Sequence, residues 1–285
     1  GGGGGCGAGG LYDIGDLFQI GEGEEVIDEV LDLYNSMKGK YSKSEILREM
    51  AKIRGIYVPS LYEVEYKEDG TIKSFRPKYE DVPAKVVKRF IPDINDNPYP
   101  EDMIVPYTEI VHDRIMLETF RGCTRGCRFC QAGMIYRPVR EKKLPKLMEQ
   151  AETLLKTTGY EELSLTSLSI CDYSDIQNLL FSLMEKHKED RVSISLPSIR
   201  IDAFSVDLIK EIQKVKKTGL TFAPEAGSQR MRDVINKCVT EEDLLTSVKH
   251  AFEAGWSTIK LYFMIGLPYE TLEDVVGIAE LGKRW

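Results

Sequence analysis

The chain has 285 residues, enough for one large domain or two modest ones, with 42% hydrophobic residues and a formal net charge of −8. That acidity argues against a surface made for nucleic acid throughout, while leaving room for a local basic patch. No apolar run reaches membrane-spanning length, and the N-terminus shows no basic start followed by an apolar run. Six cysteines, three of them clustered, do not read as a disulfide framework; a reducing, cytoplasmic setting suits them better.

The opening GGGGGCGAGG reads as a flexible lead-in, since a glycine run has no side chains to bury, and Cys6 within it as a bystander. Residues 17–20 read as a short strand and Gly21-Glu22-Gly23 as its turn. Residues 24–34 follow as a helix, with Val26, Ile27, Val30, Leu31 and Tyr34 at helical spacing. A second helix spans 43–54 and ends at Gly55. Alternation on both sides of Asp69-Gly70 predicts a hairpin over 62–75. From 76 to 106 six prolines oppose regular structure, so this stretch reads as an extended connection pinned by Tyr79, Tyr99 and Tyr107.

From residue 114 a strand–loop–helix rhythm repeats. Strands are expected at 114–120, 162–169, 191–201, 220–223 and 258–265. A helix follows each. Leu144, Leu147, Met148, Ala151, Leu154 and Leu155 form one helical face, closed by Gly159. Ser174, Ser205, Thr240 and Thr271 are the expected caps of later helices. Five such units predict an α/β fold in which parallel strands curve into a partial (β/α) barrel. Chemistry in such barrels sits on the loops after the strands.

The loop after the first of these strands reads Arg121-Gly122-Cys123-Thr124-Arg125-Gly126-Cys127-Arg128-Phe129-Cys130-Gln131-Ala132-Gly133. Thiolates hold iron–sulfur clusters, and three on a four-iron cube leave one iron open for reaction. Arg121, Arg125, Arg128, Arg137 and Arg140 put positive charge around the cysteines, suited to easing cluster reduction or docking an acidic electron donor; ordinary solvated arginines are the alternative. The rival reading of the thiols is structural zinc, which needs a fourth ligand. His112, near in sequence, falls at the opposite end of the first strand.

The C-x3-C-x2-C spacing, with Phe129 before the last cysteine, resembles the signature of the radical S-adenosylmethionine (SAM) superfamily. The likeness extends from about residue 110 to 285. Together with SLPSIRID, APEAGS and YFMIGLP it points to the elongator- and methylthiotransferase-like branch, in a subgroup with a cobalamin-domain-like N-terminal region. The resemblance implies a [4Fe–4S] cluster on Cys123, Cys127 and Cys130, with SAM chelated to the open iron and cleaved reductively to a 5′-deoxyadenosyl radical. It implies cofactor-binding roles for Phe129, Ser167, Ser169, Arg200, Glu225 and Gly266. Ser167 and Ser169 stand where the family has a glycine-glycine-glutamate turn. Arg200 would clamp the methionine carboxylate, a salt bridge to Asp202 being its other use. Glu225 would face the ribose or amino group, and the Gly266 turn the adenine.

The resemblance also implies a truncated barrel at 113–285, with five of six units present, after a hairpin and proline-rich linker at 61–112. The strand, GEGE turn and helix within 1–60 resemble the last unit of a cobalamin-binding-like Rossmann domain. The D-x-H-x-x-G cobalamin motif is absent from the sequence, so cobalamin is unsupported. The expected partner is a reduced flavodoxin- or ferredoxin-like donor. The branch suggests RNA as substrate. An iron–sulfur electron-transfer protein or a zinc-binding module without SAM chemistry is the alternative function.

Overall fold

The computed structural model describes residues 14–108, 110–188, 190, 192–196 and 220–284. The chain divides into two compact units, Gly1–Pro98 and Tyr99–Trp285.

In the first unit, strand β1 (Phe18–Gln19) pairs antiparallel with β2 (Ile56–Tyr57). Between them lie helices α1 (Val26–Met37) and α2 (Lys43–Met50). Ser42 starts α2 with a reciprocal capping box to Glu45, satisfying two amides that the helix leaves open. Strands β3 (Tyr62–Tyr66) and β4 (Ile72–Pro77) form the expected antiparallel hairpin. Val26, Met50, Ile56, Val58, Leu61 and Tyr62 are among the residues of its core. The proline-rich stretch is irregular, yet Val82, Ile91 and Ile94 are buried, and the Arg89 amide donates to the Ile20 carbonyl at 2.9 Å. Tyr79 is held under the Arg48 guanidinium at 4.3 Å and Tyr99 donates to the Met116 carbonyl, but Tyr107 is fully exposed and pins nothing.

The second unit is mixed α/β with parallel strands. Strands β5 (Ile115–Glu118), β8 (Glu162–Thr166) and β9 (Ser193–Ser195) form one parallel sheet in the order β5-β8-β9. Strands β10 (Leu220–Glu225) and β11 (Ile259–Phe263) form a second parallel pair. Among the described residues the two groups are not one continuous sheet. The segment between them, which carries Arg200 and the expected Ser205 cap, lies outside the described residues. Successive side chains in a strand point to opposite faces, so the register decides what is buried. Ile115 opposite Leu163 and Leu117 opposite Leu165 are all at most 1% exposed. Met116 opposite Ser164 and Glu118 opposite Thr166 line the other face.

Helices α4 (Leu144–Thr158) and α5 (Ile176–Lys186) cover the apolar face, using Leu147, Ala151, Leu154, Leu179, Leu180 and Leu183. Each of these leucines, fully buried, stabilises the fold by about 1.5–3 kcal/mol. The short helix α6 (Gln229–Val234) follows β10. Helix α7 (Glu241–Glu253) then starts with a Thr240–Asp243 capping box, and α8 (Leu272–Gly282) with the Thr271 amide and hydroxyl on Asp274 at 2.9 Å. The expected Ser174 cap is not one. Asp175 occupies the cap position of α5, and Ser174 instead gives its amide and hydroxyl to Glu141.

The first strand also differs from expectation. It breaks at Thr119, whose amide goes to the Thr166 carbonyl at 3.0 Å. The chain then continues as β6 (Phe120–Arg121), antiparallel to β7 (Arg140–Glu141). Beyond β7, Lys142 is 2% exposed. Its ammonium sits 3.1 Å from Gln150 Oε1, within the apolar stripe of α4, and 4.2 Å from the centre of the Tyr99 ring. Burial lowers its pKa to about 8, against the opposing pull of Glu118. Between about pH 8 and the ordinary value of 10.5, the folded chain binds fewer protons than the unfolded chain at this site. Stability therefore gains with rising pH across that window. Lys142→Met will flatten the gain, as read from urea midpoints collected between pH 7.5 and 10.

Candidate functional site

The cysteine loop begins and ends on the β6–β7 pair, where Phe120 faces Glu141 and Arg121 faces Arg140. Gly122 sits at its base with φ +93°. A Cβ there would lie 2.8 Å from the carbonyl oxygens of both Tyr136 and Pro138, so the returning strand leaves no room for a side chain. Cys123, Cys127 and Cys130 are part-exposed and outside any disulfide, and Phe129 is 38% exposed. A four-residue helix, α3 (Ala132–Ile135), follows within the loop.

The arginines around the cysteines build the loop. Arg121 forms a two-pronged ion pair with Glu118, both bonds at 2.9 Å. Arg125 grips Asp172 through both nitrogens, Nε at 2.9 Å, and so ties the loop to the turn after β8. Arg137 donates to the Cys123 carbonyl at 3.3 Å, and Arg140 to the Pro138 carbonyl at 3.0 Å. Arg128 sends its amide to the Ile235 carbonyl at 2.9 Å and its guanidinium to the carbonyls of Asp233 and Val234. Asn236 returns its side-chain amide to the Gly126 carbonyl at 2.9 Å.

The turn after β8 carries Ser167 and Ser169. Their hydroxyl oxygens, and that of Thr166, are buried without a hydrogen-bond partner. Such groups cost free energy until a polar ligand meets them. At the end of β10, Glu225 has φ +69°, and its carboxylate lies 3.2 Å from Lys237 Nζ, both side chains about 15% exposed or less. The Met264 amide donates to the Glu225 carbonyl at 2.8 Å, which brings the turn after β11 alongside. Gly266 in that turn has φ +90° and open space where a Cβ would stand. Ala226, Met231, Ile235 and Leu267 pack together beneath these two turns. Arg232, 1% exposed, donates to the carbonyls of Ala226 and Gly227; burial lowers its pKa. Gly227 lies against α8 so closely that a Cβ would come within 2.3 Å of the Ile278 nitrogen. Asp274, beside it, accepts from the Ser228 hydroxyl at 2.5 Å and from Arg230, which hold its carboxyl well below the usual range.

The turns after four strands are thus bonded into one group: the cysteine loop, the Ser167–Ser169 turn, the Glu225 turn and the Gly266 turn. Arg200 lies outside the described residues. Sequence reasoning gave no role to Asp172, Lys237, Asn236 or Thr166, although Asp172 falls in the turn at 167–173 that carries part of the family likeness. The one available signal was an asparagine just after a short helix, where a left-handed residue is common.

The donor set fits an iron–sulfur cube. Among the described residues no three His, Cys, Asp or Glu side chains converge to hold a single metal ion. Three thiolates are the ligands that iron–sulfur clusters take, while zinc needs a fourth ligand besides them. His112 bonds Arg114 before β5, away from the loop. The three orphaned hydroxyls fit a polar cofactor beside the cube.

The family model for the radical SAM superfamily matches residues 117–282, and one for the N-terminal region of radical SAM proteins matches 1–59. The chain belongs to the radical SAM superfamily, whose cofactors are a [4Fe–4S] cluster and SAM. It is 33% identical over 271 residues to an uncharacterized protein of Methanocaldococcus jannaschii, covering 94% of this chain and 51% of that one. An uncharacterized methyltransferase of Pyrococcus horikoshii is 23% identical over 274 residues, covering 94% and 53%. The chain spans about half the length of these curated relatives. A solved structure of the radical SAM methyltransferase TsrM from Kitasatospora setae, with cobalamin and a [4Fe–4S] cluster bound, superposes with a TM-score of 0.61 at 15% identity, covering 94% of this chain and 50% of that one. That likeness supports the fold.

Two substitutions probe the frame. Gly122→Ala will push the base of the cysteine loop open and lower iron loading on anaerobic reconstitution, with circular dichroism unchanged. Gly227→Ala will lower stability by about 1–3 kcal/mol through overpacking against α8, measured by chemical denaturation.

Proposed function

We propose that the chain is the catalytic part of a radical SAM enzyme, with Cys123, Cys127 and Cys130 as the cluster ligands. The observation that carries this reading is the bonding of the cysteine loop to the turns after β8 and β10 through Arg125–Asp172, Arg128 and Asn236. When bound, the cluster and SAM supply reductive cleavage of the sulfonium to methionine and a 5′-deoxyadenosyl radical. The chain's own residues bind and orient. The Ser167 and Ser169 hydroxyls, buried and unpartnered, would accept from the methionine ammonium. Glu225, held by Lys237, would accept from ribose hydroxyls. The Gly266 turn would lie along the adenine, and Phe129 would shield the last thiolate. Arg200 remains the proposed carboxylate clamp.

The larger architecture we infer is a partial (β/α) barrel at 113–285 with five of six units, preceded by the hairpin and linker at 61–112. Residues 1–60 we read as resembling a cobalamin-binding-like Rossmann domain; the family model for the N-terminal region of radical SAM proteins matches 1–59. Radical SAM enzymes require an electron donor; a reduced flavodoxin or ferredoxin in the cytoplasm is the partner we assign. Among the described residues no helix is long and apolar enough to cross a membrane. RNA as substrate class rests on the likeness of the Glu225 and Gly266 turns to RNA-modifying branches of the superfamily.

The test is anaerobic reconstitution of the protein. The broad visible absorption of an iron–sulfur cluster will appear and will be lost in Cys127→Ala. Reduced protein will release 5′-deoxyadenosine from SAM. A reconstituted and reduced full-length protein that never does so would overturn the reading.

A further inference from the structure

Helix α6 ends in a Schellman turn. The Lys237 amide bonds back to the Arg232 carbonyl at 2.8 Å, and the Asn236 amide to the Asp233 carbonyl at 3.1 Å. Asn236, with φ +53°, occupies the left-handed position that glycine usually fills, because glycine meets no steric penalty there. Asparagine tolerates the conformation less well, and backbone geometry alone does not call for it. Its side chain has another use. The amide reaches across to the Gly126 carbonyl at 2.9 Å and the Arg125 carbonyl at 3.5 Å, inside the cysteine loop. The loop reciprocates through Arg128, whose guanidinium and amide take the carbonyls of Asp233, Val234 and Ile235. Those carbonyls form the partly negative end of α6, where a cation is favoured. The next residue, Lys237, pairs with Glu225.

We infer that Asn236 is a positioning residue. It fastens the cysteine loop to the turn that also fixes Glu225, so that order in the loop and occupancy at Glu225 are coupled. The inference rests on the cofactor roles proposed above, but its first test does not.

Asn236→Gly retains the left-handed turn and removes the cross-loop amide, along with the Oδ1 contact to the Cys238 thiol at 3.9 Å. In the full chain without cluster, hydrogen exchange of amides 124–130 will rise about tenfold relative to wild type, while α4 and α7 exchange at unchanged rates. Equal loop exchange in both proteins overturns the inference. Should Asn236→Gly fold poorly, Asn236→Asp keeps a side chain of the same shape but has no N–H to donate to the Gly126 carbonyl, and it is read in the same way. In reconstituted protein, the SAM concentration that half-converts the electron paramagnetic resonance spectrum of the reduced cluster will rise several-fold in Asn236→Gly at unchanged iron content. An unshifted value overturns the coupling. If wild type itself shows no response to SAM, the functional reading fails, and loop exchange still decides the role of Asn236.

Discussion

The ladder joining Phe120–Arg121 to Arg140–Glu141 is the constraint on which the second unit's chemistry depends. A loop with little regular structure must still satisfy its backbone polar groups. Here the ladder closes the loop at its base, and the loop's arginines reach outward to do the rest. Residues that look like an electropositive surface in the sequence are engaged instead with carbonyls and carboxylates of neighbouring turns. Their charge remains near the cysteines, so bracing and electrostatic tuning of a cluster are compatible uses of the same side chains.

Around that loop the rest of the site follows a simple division of labour. The apolar face of the β5–β8–β9 sheet, packed under α4 and α5, supplies rigidity. The strand ends supply polar groups. Thr166, Ser167 and Ser169 are buried without partners at one end, while Glu225 is held strained and paired at another. Strain and unmet polar groups gather at functional sites because a ligand can offset their cost. Both features lie on turns bonded to the cysteine loop, and neither is needed for the core.

Much of this was legible in the sequence, and the division falls along a physical line. The buried face of α4, the Thr240 cap, the Asp69-Gly70 hairpin and the cysteine spacing are local signals, decided within a few residues; the apolar spacing of α1 gives its helix, but Ile27, Leu31 and Tyr34 stay exposed. What escaped notice depends on partners far along the chain. Thr119 ends its strand because Thr166, 47 residues on, takes its amide. Ser174 fails as a cap because Glu141 competes for it. Lys142, which no local pattern marks as interior, is buried against Gln150 and Tyr99. Asn236 carries no local signal of its role, and only the fold shows what its amide reaches.

The braced loop has one more consequence, for life in air. Iron–sulfur clusters on exposed loops are lost to oxygen, and bare thiols then tend to collapse into mispaired cystines. Bonds from Arg125, Arg137 and Asn236 fix the backbone around Cys123, Cys127 and Cys130 independently of any metal. That bracing limits how far the three thiols can move toward one another, and so restrains their oxidation to a disulfide.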